Sequence, residues 1–237
     1  MIHIPKLFFK PIGGHSRNVI LGGIIALWHD VNMEGEETLW EQHSLYPSLL
    51  TYAWTTWTAD VQQAANYLTM VPPAGTPENK YFSAFEEYLM AHKERYFNDR
   101  PFQYSPQSST VWKLVGPFDE KEVLTEIKDS YTENDTLLEW QKATGNTVYI
   151  RDRFKQGGQY PEAKPGETYF ALSYIHSDRA QEVPFWVGFE TPYRSNRVYS
   201  GTPEQGDWDI NGGNIWINDK PLPAPEWENP GWTPSRT

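Results

Sequence analysis

Trp28 and Asp30, near the start of the printed sequence, have the side-chain types and the spacing of a sugar-binding pair. Because they are two residues apart, both side chains of an extended chain point to the same side. An indole ring forms an apolar wall against a sugar, and a carboxylate accepts hydrogen bonds from two hydroxyl groups. We therefore predict that both residues contact carbohydrate. The alternative, in which Trp28 is a core residue and Asp30 caps a short turn, stays open.

A second group of candidate sugar contacts lies in the C-terminal half. Trp208 stands in a loop rich in Gly and Asp, and Arg194 has a guanidinium group that donates hydrogen bonds to hydroxyls. Trp186 and Trp216 occur within strand-like runs, which predicts that they are core residues. We keep Trp208 and Arg194 as possible secondary sugar contacts.

The sequence gives little support for catalytic carboxylates or a metal site. The dipeptide Asp119-Glu120 follows a Gly-Pro-Phe segment and is best interpreted as a solvated turn. Glu36-Glu37 and Glu86-Glu87 are interpreted as exposed charge, since a general acid needs burial to raise its pKa. The six histidines show no metal-ligand spacing. We expect no catalytic residue, no metal site and no cofactor in this chain.

Composition narrows the classes of partner. The net charge of -11 and the pI of about 5.0 disfavour nucleic acid, whose phosphates are also negative. The 11 Trp, 14 Tyr and 11 Phe residues favour sugar faces as ligands. The longest apolar stretch, Val19 to Trp28, is far shorter than the ~20 residues of a membrane span, and no signal peptide is recognised. We expect a chain that does not span a membrane.

The first hundred residues have the pattern of mixed α/β structure. The stretch from Val19 to Trp28 predicts a buried central strand, because it is apolar at nearly every position. A helix is expected after a cap at Ser44, and a second helix over residues 80–97. The expected apolar stripes are Leu45, Leu49, Ala53 and Trp57, with Leu50 and Trp54 beside them, and Phe82, Phe85, Leu89, His92 and Tyr96.

The remaining residues have the pattern of an all-β region. Short runs rich in β-branched and aromatic residues alternate with Gly, Pro, Asn and Asp, which predicts a β-sandwich. The predicted strands are Val111 to Val115, Thr147 to Ile150, Tyr169 to Ile175, Phe185 to Phe189 and Asn214 to Asn218. We place the domain boundary between residues 103 and 104, which gives domains 1–103 and 104–237.

Two sets of motifs resemble one known family. The run from Gly22 to Asp30, followed by Leu45-Tyr46-Pro47 and a segment with Thr55-Thr56-Trp57, resembles the last strand and helix of the barrel in glycoside hydrolase family 20. The segments 111–118, 185–189, 203–206 and 215–220 resemble the appended β-domain of Bacteroidetes-type members. The resemblance implies the C-terminal fragment of a (β/α)8 barrel followed by a jelly-roll-like β-sandwich.

The resemblance also implies an activity. Family members are β-N-acetylhexosaminidases, which release terminal N-acetylhexosamine by substrate-assisted catalysis with an Asp-Glu pair on an earlier barrel strand. Trp28 and Asp30 match the subsite for the terminal sugar, where the family more often has Glu in place of Asp30. The implied partners are an N-acetylhexosamine-containing glycan and the remainder of the barrel, and the implied location of the parent protein is periplasmic or extracellular.

Two other interpretations remain open. The chain is alternatively a non-catalytic carbohydrate-binding protein that uses exposed aromatic residues of its β-region, or a product that has lost its function. An upstream reading frame encoding a His-x-Gly-Gly-Asp-Glu strand would favour the hydrolase.

Overall fold

The computed structural model of this chain describes residues 45–58, 69–100, 102, 104–119, 126–151, 157–185, 187–189, 202–210 and 212–232. The chain divides into two compact units. Among the described residues, the first unit is Tyr46–Asp178, and the second is residues 179–232 grouped with Leu45. The predicted boundary between residues 103 and 104 falls within the first unit. Because most of domain 1–103 before the helices lies outside the described residues, that division stays a prediction.

The first helix, α1 (Leu45–Thr58), has Pro47 in its first turn, as the sequence predicts. Proline is favoured there because its missing N–H would have no helical partner. The Thr51 hydroxyl is fully buried and donates to the Pro47 carbonyl at 2.8 Å. The predicted cap, Ser44, lies outside the described residues.

The second helix, α2 (Pro77–Tyr96), begins three residues before the predicted start. Thr76 caps it, with its hydroxyl accepting from the backbone N–H of Asn79 at 3.1 Å. Pro77 therefore occupies the first helical position, where proline is favoured. The predicted stripe is confirmed at its centre, where Phe85 and Leu89 are buried, while Tyr96 at its end is exposed.

The two helices share an aromatic core. Trp54 of α1 lies against Tyr88 and Phe85 of α2, with ring centroids 5.1 and 6.0 Å apart. Buried members of this cluster are Leu50, Phe85, Leu89, Phe102 and Tyr104. The predicted stripe is confirmed at Leu45, which is buried, and at Leu50 and Trp54, which pack in the core. It is wrong at Leu49, Ala53 and Trp57, which are exposed. The buried face is instead the one that carries Leu50 and Trp54, because that face meets α2.

A three-stranded antiparallel sheet follows the helices. Its strands are β1 (Val111–Asp119), β4 (Gln141–Thr144) and β5 (Glu167–Ser173), and β1 lies between the other two. The segment before α2 joins this sheet at β4 through two backbone hydrogen bonds. The Val71 N–H donates to the Thr144 carbonyl, and the Thr144 N–H donates to the Thr69 carbonyl, each at 3.1 Å. The helices and the sheet therefore belong to one unit.

The central strand β1 is buried on both faces. Leu114 packs on one side with Ala143, Tyr160 and Ala163, and Val115 and Phe118 pack on the other side with Leu138. Val115 and Phe118 are three residues apart, so in a regular strand their side chains would point to opposite faces. A register shift between them brings both to the same face. The shift contains Gly116, whose φ is 151°.

Two hairpins have the same turn chemistry. Strands β2 (Ser130–Glu133) and β3 (Thr136–Glu139) pair around Asn134-Asp135, and β6 (Ile215–Ile217) and β7 (Lys220–Leu222) pair around Asn218-Asp219. All four turn residues have positive φ, between 46° and 62°. Positive φ at both central residues defines the type I′ turn, whose twist matches that of the paired strands. Asn and Asp tolerate positive φ.

The coarse fold class is confirmed: helices and antiparallel sheets occur together in the described residues. The strands predicted at Val111, Tyr169 and Asn214 are present. The strand predicted over residues 147–150 is wrong, because the carbonyls of Tyr149 and Ile150 accept isolated backbone hydrogen bonds rather than a ladder. The strand predicted over residues 185–189 is also wrong for its described part, whose apolar side chains are exposed. The barrel and the sandwich stay predictions, and Val19 to Trp28 lies outside the described residues.

Candidate functional site

Of the four predicted sugar contacts, only Trp208 lies among the described residues. Trp28, Asp30 and Arg194 lie outside them, so their roles stay predictions. The described part of the second unit nevertheless contains four tryptophans within about 25 residues of one another along the chain: Trp208, Trp216, Trp227 and Trp232. We take this tryptophan-rich segment, residues 202–232, as the candidate functional site.

Trp208 is half-buried and fixed in place by its own N–H group. The indole N–H donates to the Leu222 carbonyl at the end of β7, over 2.9 Å. This bond uses the polar edge of the ring and ties the loop to the β6–β7 hairpin. A sugar would stack on the face of an indole rather than on its edge. The prediction that Trp208 contacts sugar therefore depends on the part of its ring face that remains exposed.

Trp227 makes a similar attachment from the other end of the segment. Its indole N–H donates to the Asp207 carbonyl at 2.9 Å, and its backbone N–H donates to the Gln205 side-chain oxygen at 3.1 Å. The same Gln205 amide donates to the Pro225 carbonyl at 3.3 Å. The loop around residue 205 and the loop around residue 225 are therefore held together by side chains rather than by a sheet.

Trp216 is the most exposed of the four indoles. It lies on β6 opposite Pro221 of β7, and 43% of its surface is accessible. The prediction that Trp216 is a core residue is wrong, because 43% of it is exposed on a hairpin that has two strands among the described residues. The signal that could have identified it is Asn218-Asp219, which predicts a tight turn and hence a short hairpin.

The charge on this segment is strongly negative. Residues 202–232 hold six carboxylates and one lysine, Lys220; the acids are Glu204, Asp207, Asp209, Asp219, Glu226 and Glu228. Such a surface repels anionic ligands. If the exposed rings bind sugar, neutral sugars fit better than sulfated or sialylated ones.

Two described carboxylates of the first unit, those of Glu86 and Glu167, accept structural hydrogen bonds. Glu86 accepts from the Tyr104 hydroxyl at 2.6 Å and from the Gln107 backbone N–H at 2.7 Å. It is half-buried, so its interpretation as exposed charge is wrong, whereas Glu87 beside it is exposed. Burial and the neighbouring Glu86 carboxylate raise the pKa of Tyr104. No sequence signal marks this contact, because its partners are 18 and 21 residues apart.

Glu167 shows the opposite of what a general acid requires. Its carboxylate accepts from the Tyr169 hydroxyl at 2.7 Å and from the Lys164 backbone N–H at 2.8 Å. The Tyr169 hydrogen bond is the main reason that the pKa of Glu167 lies below its usual value. A proton donor at neutral pH needs a raised pKa.

Neither metal nor membrane features are found in the described part of the chain. No group of three or more His, Asp or Glu side chains lies close enough there to hold a metal ion. None of the helices that the structure describes is both long and apolar enough to cross a bilayer. Asp119, at the end of β1, is exposed, and Glu120 lies outside the described residues.

Comparison with known proteins found no matching family model, no matching curated protein and no matching solved structure.

Proposed function

We propose that this chain is part of an exo-acting β-N-acetylhexosaminidase of glycoside hydrolase family 20, with the catalytic Asp-Glu pair outside the chain. The observation that carries the proposal is an order of motifs, Trp28-x-Asp30 followed by Leu45-Tyr46-Pro47 at the start of a helix. The parent enzyme would act on N-acetylhexosamine-containing glycans in the periplasm or outside the cell.

In this mechanism the 2-acetamido oxygen of the substrate attacks the anomeric carbon. An Asp orients the acetamide group, and the neighbouring Glu protonates the leaving oxygen. The chain would contribute contacts to the sugar that undergoes cleavage: the Trp28 ring against one face and the Asp30 carboxylate to its outer hydroxyls. These contacts orient the ring for attack and accelerate cleavage only to the extent that they strengthen in the transition state.

Two described carboxylates, those of Glu86 and Glu167, have structural rather than catalytic surroundings. Glu86 and Glu167 each accept two hydrogen bonds from the chain itself, and the pKa of Glu167 is lowered. A general acid at neutral pH instead needs a raised pKa. We therefore do not assign Glu86 or Glu167 as the proton donor.

The test is hydrolysis of a chromogenic N-acetyl-β-glucosaminide by this chain alone and by the chain joined to the upstream coding region that would complete a barrel. We expect activity only in the joined protein. Asp30→Ala should lower its kcat/KM by about 100-fold or more, since two charge-assisted hydrogen bonds are lost. The matched control is Asp178→Ala, because the Asp178 side chain is almost fully exposed and its ion pair is with His176, two residues away.

Two results would contradict the proposal. Activity in the short chain would mean that it contains its own proton donor. Inactivity of the joined, folded protein on both N-acetylglucosaminide and N-acetylgalactosaminide substrates would remove the hydrolase assignment.

The exposure of Trp216 favours a second candidate, a non-catalytic carbohydrate-binding protein. The ring is open to solvent on a hairpin that Trp208 ties to the neighbouring loop, so a stacking surface would be held in place. Isothermal titration of the short chain with neutral N-acetylhexosamine oligosaccharides tests this candidate. Trp216→Ala should abolish binding, while Trp57→Ala, which removes an exposed indole from α1, should leave it unchanged. Equal loss in both variants would exclude a site at Trp216.

A further inference from the structure

The turn of the hairpin β2–β3 contains the three-residue pattern that accepts N-linked glycans. Asn134, Asp135 and Thr136 match Asn-x-Thr, in which the middle residue is any residue except proline. The pattern occurs once in the printed sequence. Because three residues also combine in this way by chance, the position of the pattern in the fold decides whether it can serve as an acceptor.

The pattern lies at the exposed tip of the hairpin. Asn134 and Asp135 are the two central residues of the type I′ turn, with φ values of 46° and 61°. The four residues from Asn134 to Leu137 are exposed, and Leu138 is the first buried residue after them. An enzyme can therefore reach the Asn134 amide and the Thr136 hydroxyl without opening the apolar cluster around Leu138. A glycan is bulky and requires such a surface position.

The second hairpin shows that the turn itself does not require Thr136. Asn218 and Asp219 form the same type of turn between β6 and β7, with φ values of 49° and 62°. The next residue there is Lys220, so this turn forms without a hydroxyl group at that position. The backbone conformation therefore accounts for Asn-Asp in both hairpins. It does not account for the Thr136 hydroxyl, which the acceptor pattern requires.

We propose that Asn134 is the acceptor of an N-linked glycan. In the transfer, the side-chain nitrogen of Asn134 forms a bond to the anomeric carbon of a sugar carried on a lipid pyrophosphate. The bond between that carbon and the phosphate oxygen breaks, and the lipid pyrophosphate leaves with the electron pair. A base of the transferase takes one proton from the amide nitrogen, and nothing is oxidised or reduced. The proposal shares with the hydrolase assignment only a location outside the cytosol.

The test directs the full chain into the secretory pathway of cultured eukaryotic cells with an added signal sequence. The location is thus supplied, and the outcome does not depend on any hydrolase activity. Mass spectrometry before and after treatment with a peptide N-glycosidase identifies the modified residue, because this enzyme removes the glycan and converts the linked asparagine to aspartate. We expect one glycan, at Asn134, on most of the secreted chain. Asn134→Gln and Thr136→Ala should abolish it, whereas Thr136→Ser should retain it, because serine also provides the hydroxyl group.

The second hairpin provides a matched control. When Lys220→Thr is added to Asn134→Gln, the sequence Asn-Asp-Thr stands in a turn of the same type, now between β6 and β7. A glycan should then appear at Asn218. Circular dichroism of each purified variant establishes that loss of the glycan does not follow from loss of the fold.

Three outcomes would overturn the proposal. A glycan at Asn218 in the control, with none at Asn134 in the unchanged chain, would mean that the transferase cannot use the hairpin β2–β3. No glycan in either protein would mean that an Asn-Asp turn of this type is not an acceptor. An unmodified Asn134 in the chain purified from the cells that naturally produce it would mean that the site is accessible but not used.

Discussion

The hydrogen bond between Tyr169 and Glu167 makes a contribution to stability that depends on pH. The Tyr169 hydroxyl donates to the Glu167 carboxylate, and this bond is the first cause of the lowered pKa of Glu167. A carboxyl whose pKa is lower in the folded chain stabilises it above the unfolded pKa, near 4.5, and this stabilisation is lost as the pH falls through the folded pKa.

We expect Tyr169→Phe to reduce the free energy of unfolding at pH 7 by about 0.5–1 kcal/mol, a small value because Glu167 is partly exposed. The difference from the native chain should shrink below pH 4.5. Urea denaturation at several pH values measures both effects. A difference that stays constant down to pH 3 would mean that Tyr169 contributes by packing alone.

Tyr160 provides the contrasting case. Its ring lies 4.5 Å from that of Tyr169, but its buried hydroxyl has no hydrogen-bond partner among the described residues. Burial raises the pKa of Tyr160 to about 12. Tyr160→Phe should therefore leave the free energy of unfolding unchanged or raise it by up to about 1 kcal/mol in the same denaturation experiment. A loss comparable to that of Tyr169→Phe would reveal a partner for this hydroxyl.

Gly116 allows the close approach of Tyr169 to the middle of β1. A Cβ atom at this position would lie 2.6 Å from the Tyr169 ring and 3.0 Å from the Thr168 carbonyl. Gly116→Ala should therefore lower the free energy of unfolding by about 2 kcal/mol, within the range for overpacked cores. Gly188→Ala is the control, because no atom lies within 4 Å of its Cβ position. Equal thermal stability of the two variants would contradict the steric explanation.

Among the structural elements, the hairpin β2–β3 depends on the backbone of its turn. Asp135 has a φ of 61°, which glycine adopts freely and a β-branched residue adopts only with strain. Asp135→Gly should keep or raise the stability, since Asn-Gly is the preferred type I′ pair. Asp135→Val should lower it by about 1–2 kcal/mol. Thr136→Val, in the adjacent strand, introduces the same side chain outside the turn. A similar loss of stability in that variant would mean that the valine side chain, and not the turn backbone, causes the effect.

The helices could be predicted well because their termini and core residues have local signals. Pro47 and the Phe85–Leu89 spacing located α1 and α2. The prediction for α1 is right at Leu50 and Trp54 and wrong at Leu49, Ala53 and Trp57. All five residues are apolar, and only the position of α2 distinguishes the two faces. Periodicity identifies an apolar face, but tertiary contacts decide which one is covered.

The strands were harder to predict for a related reason. β1 and β5 have strong β-forming composition, whereas β4, with the sequence Gln-Lys-Ala-Thr, does not. It forms because β1 provides a ladder for it. Conversely, residues 185–189 have the composition of a strand but no ladder among the described residues. Of the predicted site, the sequence located Trp208 in a loop correctly. It missed the exposure of Trp216, since in the part of the chain that the structure describes no third strand lies beside this hairpin.

For the molecule as a whole, the net charge of -11 should select among glycans. If either proposed function holds, a neutral N-acetylhexosamine oligosaccharide should bind at least 10-fold more tightly than its sulfated counterpart at low ionic strength, because acidic proteins repel anions. The difference should narrow at about 500 mM salt, where the Debye length falls below about 5 Å. Isothermal titration at both salt concentrations measures this difference in affinity. Tighter binding of the sulfated sugar would locate the site in a basic part of the chain.

The burial of β1 on both faces has a consequence for the lifetime of its hydrogen bonds. Leu114 and Val115 are fully buried between the two apolar clusters, and β4 and β5 pair with this strand on either side. Their amide protons should be replaced by deuterium only when the whole first unit opens, whereas those near the exposed Trp57 should exchange by local fraying. Exchange followed by mass spectrometry should therefore show β1 as the last part of this unit to take up the isotope.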